Sequence, residues 1–170
     1  IVCESFGEPE DLSVRMLDTP PCGPAQVRVH IWASGVNYVD ALFIQGRYQI
    51  RPPLPFVPGS EIAGEVTEVG DEVEGLQVGD RVMASVGLGG YADEVVLSPG
   101  QLTRIPEPLT YAQAATMTQS YATAWFSLTR RTTVTPDSWV LVLGAAGGVG
   151  LAAMDVARAL GAKVISAASS

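Results

Sequence analysis

The sequence contains 170 residues, of which 47% are hydrophobic and 16% are charged, and its net charge is −8. This hydrophobic content is sufficient for a buried core and excludes wholesale disorder. The acidic balance argues against nucleic acid and acidic lipid as partners, and no apolar run is long enough to span a membrane. The two cysteines, Cys3 and Cys22, make no disulfide framework, which is typical of a reducing compartment. We therefore expect a soluble cytoplasmic protein.

Charge is distributed unevenly along the chain. Residues 1–107 hold 16 acidic and 6 basic side chains, whereas residues 108–170 hold 2 acidic and 4 basic ones. Turn residues also interrupt the first part more often than the second. The sequence therefore predicts two domains, residues 1–108 and residues 109–170, with a boundary near Pro108.

The first domain has the period-two pattern of half-buried strands. In residues 27–32, Val, Val and Ile alternate with Arg, His and Trp, which predicts a strand. Further strands are predicted at residues 62–69, 80–84 and 91–97, and a short helix at residues 38–45. Short strands joined by Gly and Pro turns are typical of a compact barrel or sandwich.

The second domain has an α/β pattern. The predicted elements, in chain order, are helices at residues 110–117 and from 120 or 121 to 131, a strand at 139–143, a helix at 151–160 and a strand at 162–168. The apolar run Trp139–Leu143 predicts a strand that is buried on both faces of a parallel sheet. The last three elements predict one right-handed βαβ unit.

A glycine-rich turn, residues 144–150, joins this strand to its helix. Main-chain N–H groups at a helix N-terminus can bind a pyrophosphate. Gly147 would let the main chain approach the phosphates, and Gly150 would let the helix pack closely on the strand. Ala145 stands where a G-x-G-x-x-G motif has its first glycine, so Gly144 is expected to supply the turn instead. The sequence predicts dinucleotide binding here, and a tight turn without a ligand is the alternative.

The choice of dinucleotide depends on the residues after the second strand. An NAD site usually carries Asp or Glu about 20 residues past the glycine turn, where it accepts from the ribose 2′-hydroxyl. Residues 165–170 contain no acid, and Ser166, Ser169 and Ser170 present hydroxyl groups. These residues favour NADP(H), with Ser169 and Ser170 as candidate contacts.

Five segments resemble the medium-chain dehydrogenase/reductases, and specifically their zinc-free quinone oxidoreductase branch. They occur in the family's order along essentially the whole chain, at residues 35–40, 46–48, 58–64, 78–82 and 145–150. The resemblance implies a fold of the α/β plus β class, with a GroES-like β-barrel catalytic domain followed by the first βαβ part of a doubly wound Rossmann domain. It also implies NADPH as the cofactor and dimer formation.

The resemblance also bears on zinc. The family's zinc alcohol dehydrogenases have Cys where Asn37 stands and His where Ser60 stands. Asn and Ser are poor zinc ligands, and Glu61 alone cannot build a catalytic zinc site. No cysteine occurs in residues 83–91, where the structural zinc loop of those enzymes would lie. We therefore expect no zinc.

The activity that the resemblance implies is hydride transfer from NADPH to a small-molecule quinone or conjugated enone. An enoyl-thioester reductase of the same superfamily is one alternative, and a non-catalytic NADPH-binding or structural relative is another. The chain ends in its second Rossmann strand and begins without Met. We expect it to be a piece of a longer enzyme and to be inactive by itself.

The resemblance supplies candidate site residues. Tyr48 and Asn37 are the catalytic candidates, because the Tyr48 hydroxyl would donate to a developing enolate oxygen and the Asn37 amide would bind near the nicotinamide ribose. The remaining cofactor-binding candidates are Tyr38, Asp40, Thr123, Ala146, Gly147, Gly148, Val149, Gly150, Ser169 and Ser170.

Several of these residues, and Glu61, have a structural alternative. Asn37 would then cap the helix that follows it, and Tyr48 would pack on Pro52 and Pro53. Thr123 would bond to its own helix backbone. Asp40 and Glu61 would form ion pairs with Arg81 or Arg47.

Overall fold

The computed structural model describes residues 1–169, and these form two compact units. The first is Ile1–Thr116 and the second starts at Met117. The first unit includes the short helix α2 (Tyr111–Ala114), because Ala114 and Ala115 are buried in one apolar cluster with Ala63. The boundary predicted near Pro108 therefore lies before this division.

A five-stranded antiparallel sheet makes up the first unit. Its strands are β1 (Val27–Ser34), β2 (Glu61–Val69), β3 (Arg81–Ser85), β4 (Glu94–Leu97) and β5 (Leu102–Arg104), in the order β4-β1-β2-β3-β5. The alternating valines Val27 and Val29 pack with Ile62, Val66 and Val82 in a core where all five are fully buried. Two register shifts interrupt the pairing of β1 with β2, and such bulges bend a sheet. The predicted strands β1, β2 and β3 are confirmed.

The other two strands differ from the sequence prediction. β4 begins at Glu94 rather than at Tyr91, because the main-chain N–H of Tyr91 donates to the carbonyl of Pro58 instead of to a strand partner. β5 was not predicted, since it has three residues, two of which are exposed. Helix α1 (Tyr38–Ile44) confirms the predicted short helix and buries Asp40, Phe43 and Ile44.

The second unit contains the predicted βαβ segment. A π-helical turn at Met117–Tyr121 precedes α3 (Ala122–Arg130), and β6 (Trp139–Leu143), α4 (Gly148–Ala159) and β7 (Lys163–Ala167) follow. Strands β6 and β7 are parallel and in register. The helix predicted at residues 110–117 is wrong in length. Thr110 caps α2, but α2 ends at Ala114 and the chain continues into the π-helical turn.

The expectation that Trp139–Leu143 is buried on both faces is wrong for the part of the chain that the structure describes. Val142 is buried, whereas Trp139, Leu141 and Leu143 are 65%, 59% and 76% exposed. Exposure alternates along β6 because one face of the strand is covered and the other is open to solvent. Among residues 1–169, none of the helices combines the length and the apolar character that crossing a membrane requires.

Candidate functional site

Asn37 lies between β1 and α1, at the N-cap position of the helix. Its side-chain amide nitrogen donates to Glu61 Oε1 at 2.9 Å and lies 3.5 Å from Ser60 Oγ. Its main-chain N–H donates to Asp40 Oδ2 at 2.8 Å. Asp40, Ser60 and Glu61 are each at most 2% exposed. Asn37 is therefore held by polar groups that are themselves buried.

Tyr91 supports Asp40. Its hydroxyl donates to Asp40 Oδ2 at 3.2 Å. Burial raises the pKa of Tyr91 well above its ordinary value, and the negative charge of Asp40 and the hydrogen bond to it add to this shift. The second oxygen of the carboxylate, Asp40 Oδ1, is buried and has no hydrogen-bond partner among the residues that the structure describes. The first oxygen therefore carries the hydrogen bonds that fix α1 and Asn37.

Gly35 leaves the space that the Glu61 side chain occupies. A Cβ at Gly35 would lie 2.5 Å from Glu61 Oε1 and 2.7 Å from Glu61 Cγ, and it would also collide with the carbonyl oxygen of Ala115. The Gly35 N–H donates to the main-chain carbonyl of Glu61 at 3.1 Å. The close approach of β1 to β2 at this point thus depends on the missing side chain.

The structural alternative for Asp40 and Glu61 was an ion pair with Arg81 or Arg47. The structure shows other hydrogen bonds for Arg81, Asp40 and Glu61. Arg81 donates to the carbonyl oxygen of Leu109 and lies 4.8 Å from the centre of the Tyr111 ring. Glu61 and Asp40 bond to Asn37. Among residues 1–169 there is no cluster of three or more His, Cys, Asp or Glu side chains that could hold a metal ion.

The Tyr48 ring packs on an aromatic side chain of α1. Its ring centre lies 4.6 Å from that of Phe43, and Gln49 Nε2 donates to its hydroxyl at 3.5 Å. The side chain is half-buried. Tyr38, on the first turn of α1, is 81% exposed. The roles of both tyrosines stay predictions.

The glycine turn opens α4 as the sequence predicts. Gly144 has a φ of +66°, Gly147 is the N-cap of α4, and the helix begins at Gly148. Residues 146–149 are exposed, whereas Gly150 is buried. A Cβ at Gly150 would lie 2.8 Å from the Cα of Ala145. The turn therefore presents accessible first-turn N–H groups, which have no carbonyl partner within a helix.

The remaining predicted contacts lie in the second unit. β6 and β7 end together, because Leu143 pairs with Ala167, so Ser169 follows the same edge of the sheet as the glycine turn. Ser166 and Ser169 are exposed, and Ser170 lies outside the described residues. Thr123 is exposed on α3, where its carbonyl accepts a hydrogen bond from the hydroxyl of Ser127.

Sequence reasoning missed Tyr91 and the bond between Glu61 and Asn37. Tyr91 was counted as part of a strand, and no pattern in the sequence relates it to Asp40, 51 positions away. The acidic residue Glu61 was noted, but its partner depends on how β1 and β2 pair. The one signal available in the sequence was an acidic residue directly before the apolar residues Ile62 and Ala63 of a predicted strand.

The chain is similar to known proteins along nearly its whole length. Residues 23–107 match the model of the alcohol dehydrogenase GroES-like domain. The chain is 44% identical over 169 residues to a quinone oxidoreductase-like protein 2 homolog of Nematostella vectensis, covering 98% of this chain and 46% of that protein. It is also 44% identical over 151 residues to the polyketide synthase GfsB of Streptomyces halstedii, covering 89% of this chain and 3% of that protein.

Solved structures show the same similarity. The Escherichia coli quinone oxidoreductase, whose structure is described as a complex with NADPH, superposes with a TM-score of 0.91 at 31% identity, covering 99% of this chain and 52% of that one. The chain spans about half the length of the quinone oxidoreductase-like relatives that it matches.

Proposed function

Because the chain belongs to the alcohol dehydrogenase GroES-like family, as a quinone oxidoreductase-like member of the medium-chain dehydrogenase/reductases, we propose a function for the whole protein. It transfers a hydride from NADPH to a quinone or conjugated enone and uses no zinc. Membership of this family confirms the predicted fold class, a GroES-like domain followed by the start of a Rossmann domain. The proposed location is the cytoplasm, and the proposed assembly is a dimer.

The pair of side chains Asn37 and Ser60 is the observation that carries this proposal. At the two positions where the zinc enzymes have Cys and His, this chain has an amide and a hydroxyl that lie 3.5 Å apart. Both groups are neutral and poor zinc ligands. An acceptor that already has a conjugated system can take a hydride with hydrogen-bond help alone. A simple alcohol, in contrast, develops alkoxide charge, which a Lewis acid stabilises effectively.

The residues of the glycine turn fit a dinucleotide. Residues 146–149 are exposed, and the nearest atom to a Cβ at Gly147 would be the Gly144 carbonyl oxygen at 3.5 Å. The pyrophosphate would therefore meet first-turn N–H groups and the positive end of the α4 dipole. Ser169, at the same edge of the sheet, would donate to the 2′-phosphate. When bound, NADPH would supply the hydride.

Tyr48 and Asn37 would act on the reacting groups. The Tyr48 hydroxyl would donate to the acceptor oxygen as negative charge develops on it. Packing of its ring on Phe43 limits how the hydroxyl can move. Asn37 would hold the nicotinamide ribose.

A second candidate is an enoyl-thioester reductase, and the similarity to the polyketide synthase GfsB favours it. Both candidates reduce a conjugated carbonyl compound, so they differ in the acceptor that binds. A third possibility is a relative that binds NADPH without turnover.

One experiment separates these candidates. In the full-length protein, NADPH oxidation is followed with 9,10-phenanthrenequinone, with a simple enone and with an enoyl thioester. Quinone or enone turnover without added zinc supports the proposal, and a strong preference for the thioester favours the second candidate. Quenching of NADPH fluorescence without turnover would indicate a binding protein. Elemental analysis that finds one zinc per chain would contradict the zinc-free mechanism.

A further inference from the structure

Two buried carboxylates hold one partly exposed residue. Asp40, 2% exposed, accepts from the main-chain nitrogen of Asn37, and Glu61, 1% exposed, accepts from its side-chain nitrogen. The two hydrogen bonds are 2.8 Å and 2.9 Å long. Together they fix both the backbone and the side chain of Asn37.

Packing alone does not account for Glu61. Burying a carboxylate costs several kcal/mol before its hydrogen bonds are counted, and an apolar side chain of similar volume is often at least as stabilising. The next residues of the same strand, Ile62 and Ala63, are apolar and fully buried. Gly35, moreover, has no side chain where the Glu61 carboxylate lies. A carboxylate in this position is therefore better explained by what it does to Asn37.

The chemistry of the two groups sets the orientation of the amide. A carboxylate only accepts hydrogen bonds, so the NH₂ group of Asn37 must face it. The carbonyl oxygen of the same amide is then turned away from Glu61, on the side of the Asp40 main-chain N–H with which Asn37 forms a capping box. An amide oxygen has two lone pairs, so it can accept a second hydrogen bond. We propose that Glu61 is a positioning residue, which presents the Asn37 carbonyl oxygen as an acceptor for a ribose hydroxyl of the cofactor. This inference rests on the proposed function.

The test compares three side chains at position 61 in the full-length protein. Glu61→Met keeps the approximate length but removes the acceptor, whereas Glu61→Gln keeps an acceptor in one of its two amide orientations. We expect Glu61→Met to raise the Kd for NADPH about tenfold, the scale of one lost hydrogen bond, and Glu61→Gln to lie between it and the wild type. Glu65→Met, the same change on the same strand, should leave the Kd unchanged.

A double-mutant cycle separates positioning from a structural effect. In an Asn37→Ala background, Glu61→Met should cause no further loss of NADPH affinity, because its effect passes through the Asn37 amide. Equal losses in both backgrounds, or no loss in either, would overturn the proposal. If Glu61→Met does not fold, the same double-mutant cycle with Glu61→Gln tests the positioning role.

A second readout does not depend on NADPH. Selective asparagine labelling of the full-length protein, with Asn37→Ala for assignment, identifies the Asn37 side-chain amide by NMR. We expect slow hydrogen exchange of this NH₂ group in the wild type and faster exchange in Glu61→Met. Unchanged exchange would contradict the positioning role. Failure of the wild type to bind NADPH would instead contradict the proposed function.

Discussion

The Tyr91 hydroxyl and the Asn37 main-chain N–H donate to the same oxygen atom, Asp40 Oδ2, at 3.2 Å and 2.8 Å. This shared acceptor links the segment before β4 to the start of α1. Tyr91→Phe would remove one donor from a buried carboxylate, and a hydrogen bond to a charged group contributes about 1.5–3 kcal/mol. We expect the free energy of unfolding to fall by about that amount in urea titrations of the full-length protein. An unchanged value would show that water replaces the hydroxyl.

The raised pKa of Tyr91 predicts a pH dependence of stability at high pH. Burial, and then Asp40, keep the folded-state hydroxyl protonated, whereas in the unfolded chain it ionises near pH 10. Stability from this group is thus complete below about pH 10 and is lost as pH rises through the folded-state pKa. Unfolding measured at about pH 8 and above pH 10 should show this loss in the wild type and a smaller one in Tyr91→Phe.

Gly35→Ala should destabilise the first unit. The added Cβ would lie 2.5 Å from Glu61 Oε1 and would meet the backbone of Ala115, and overpacking of this kind costs about 1–3 kcal/mol. Gly100→Ala is the matched control, because a Cβ there has no atom within 4 Å. Thermal unfolding should separate the two variants. Equal midpoints would show that β1 and β2 move apart easily.

Gly147→Ala should weaken NADPH binding without loss of stability. Its Cβ would make only an ordinary contact with the Gly144 carbonyl oxygen, at 3.5 Å, so folding should tolerate it. The methyl group would, however, stand where the main chain is proposed to approach the pyrophosphate. We expect about a tenfold higher Kd in fluorescence titrations and an unchanged melting midpoint. Wild-type affinity would argue that the phosphates bind elsewhere.

Tyr48→Phe should lower kcat for enones by on the order of 10²-fold, the scale reported for losing one positioned donor. The ring would still pack on Phe43, so NADPH affinity and thermal stability should stay near wild type. Quinones should be affected less, because they accept negative charge more readily. Steady-state kinetics with both acceptors measure the difference, and wild-type enone turnover would make Tyr48 a packing residue.

The full-length protein should prefer NADPH to NADH. No carboxylate occurs in residues 165–170 to accept from a ribose 2′-hydroxyl, and the exposed Ser169 can donate to a 2′-phosphate. The ratio of kcat/KM for the two cofactors measures the preference. Equal values of kcat/KM would contradict the proposal that Ser169 and Ser170 favour NADPH.

Local patterns in the sequence predicted much of the fold. The alternation in residues 27–32 is a property of neighbouring residues, and β1 forms there. The glycine turn was predicted from a run of glycines between a strand pattern and a helix pattern, and Gly144 adopts a positive φ there. Strand β5 and the π-helical turn at Met117–Tyr121 were missed, since neither has a periodic signal of its own.

The sequence by itself determined which chemical groups are available: an amide at Asn37 and a hydroxyl at Ser60 in place of zinc ligands, and a glycine-rich turn at the start of α4. Only the tertiary structure decided their partners. Glu61 reaches Asn37, and Tyr91 reaches Asp40, because the folded chain brings together residues 24 and 51 positions apart. Hydrogen bonds form between groups that are close in space, and the spacing of residues along the chain does not encode that distance.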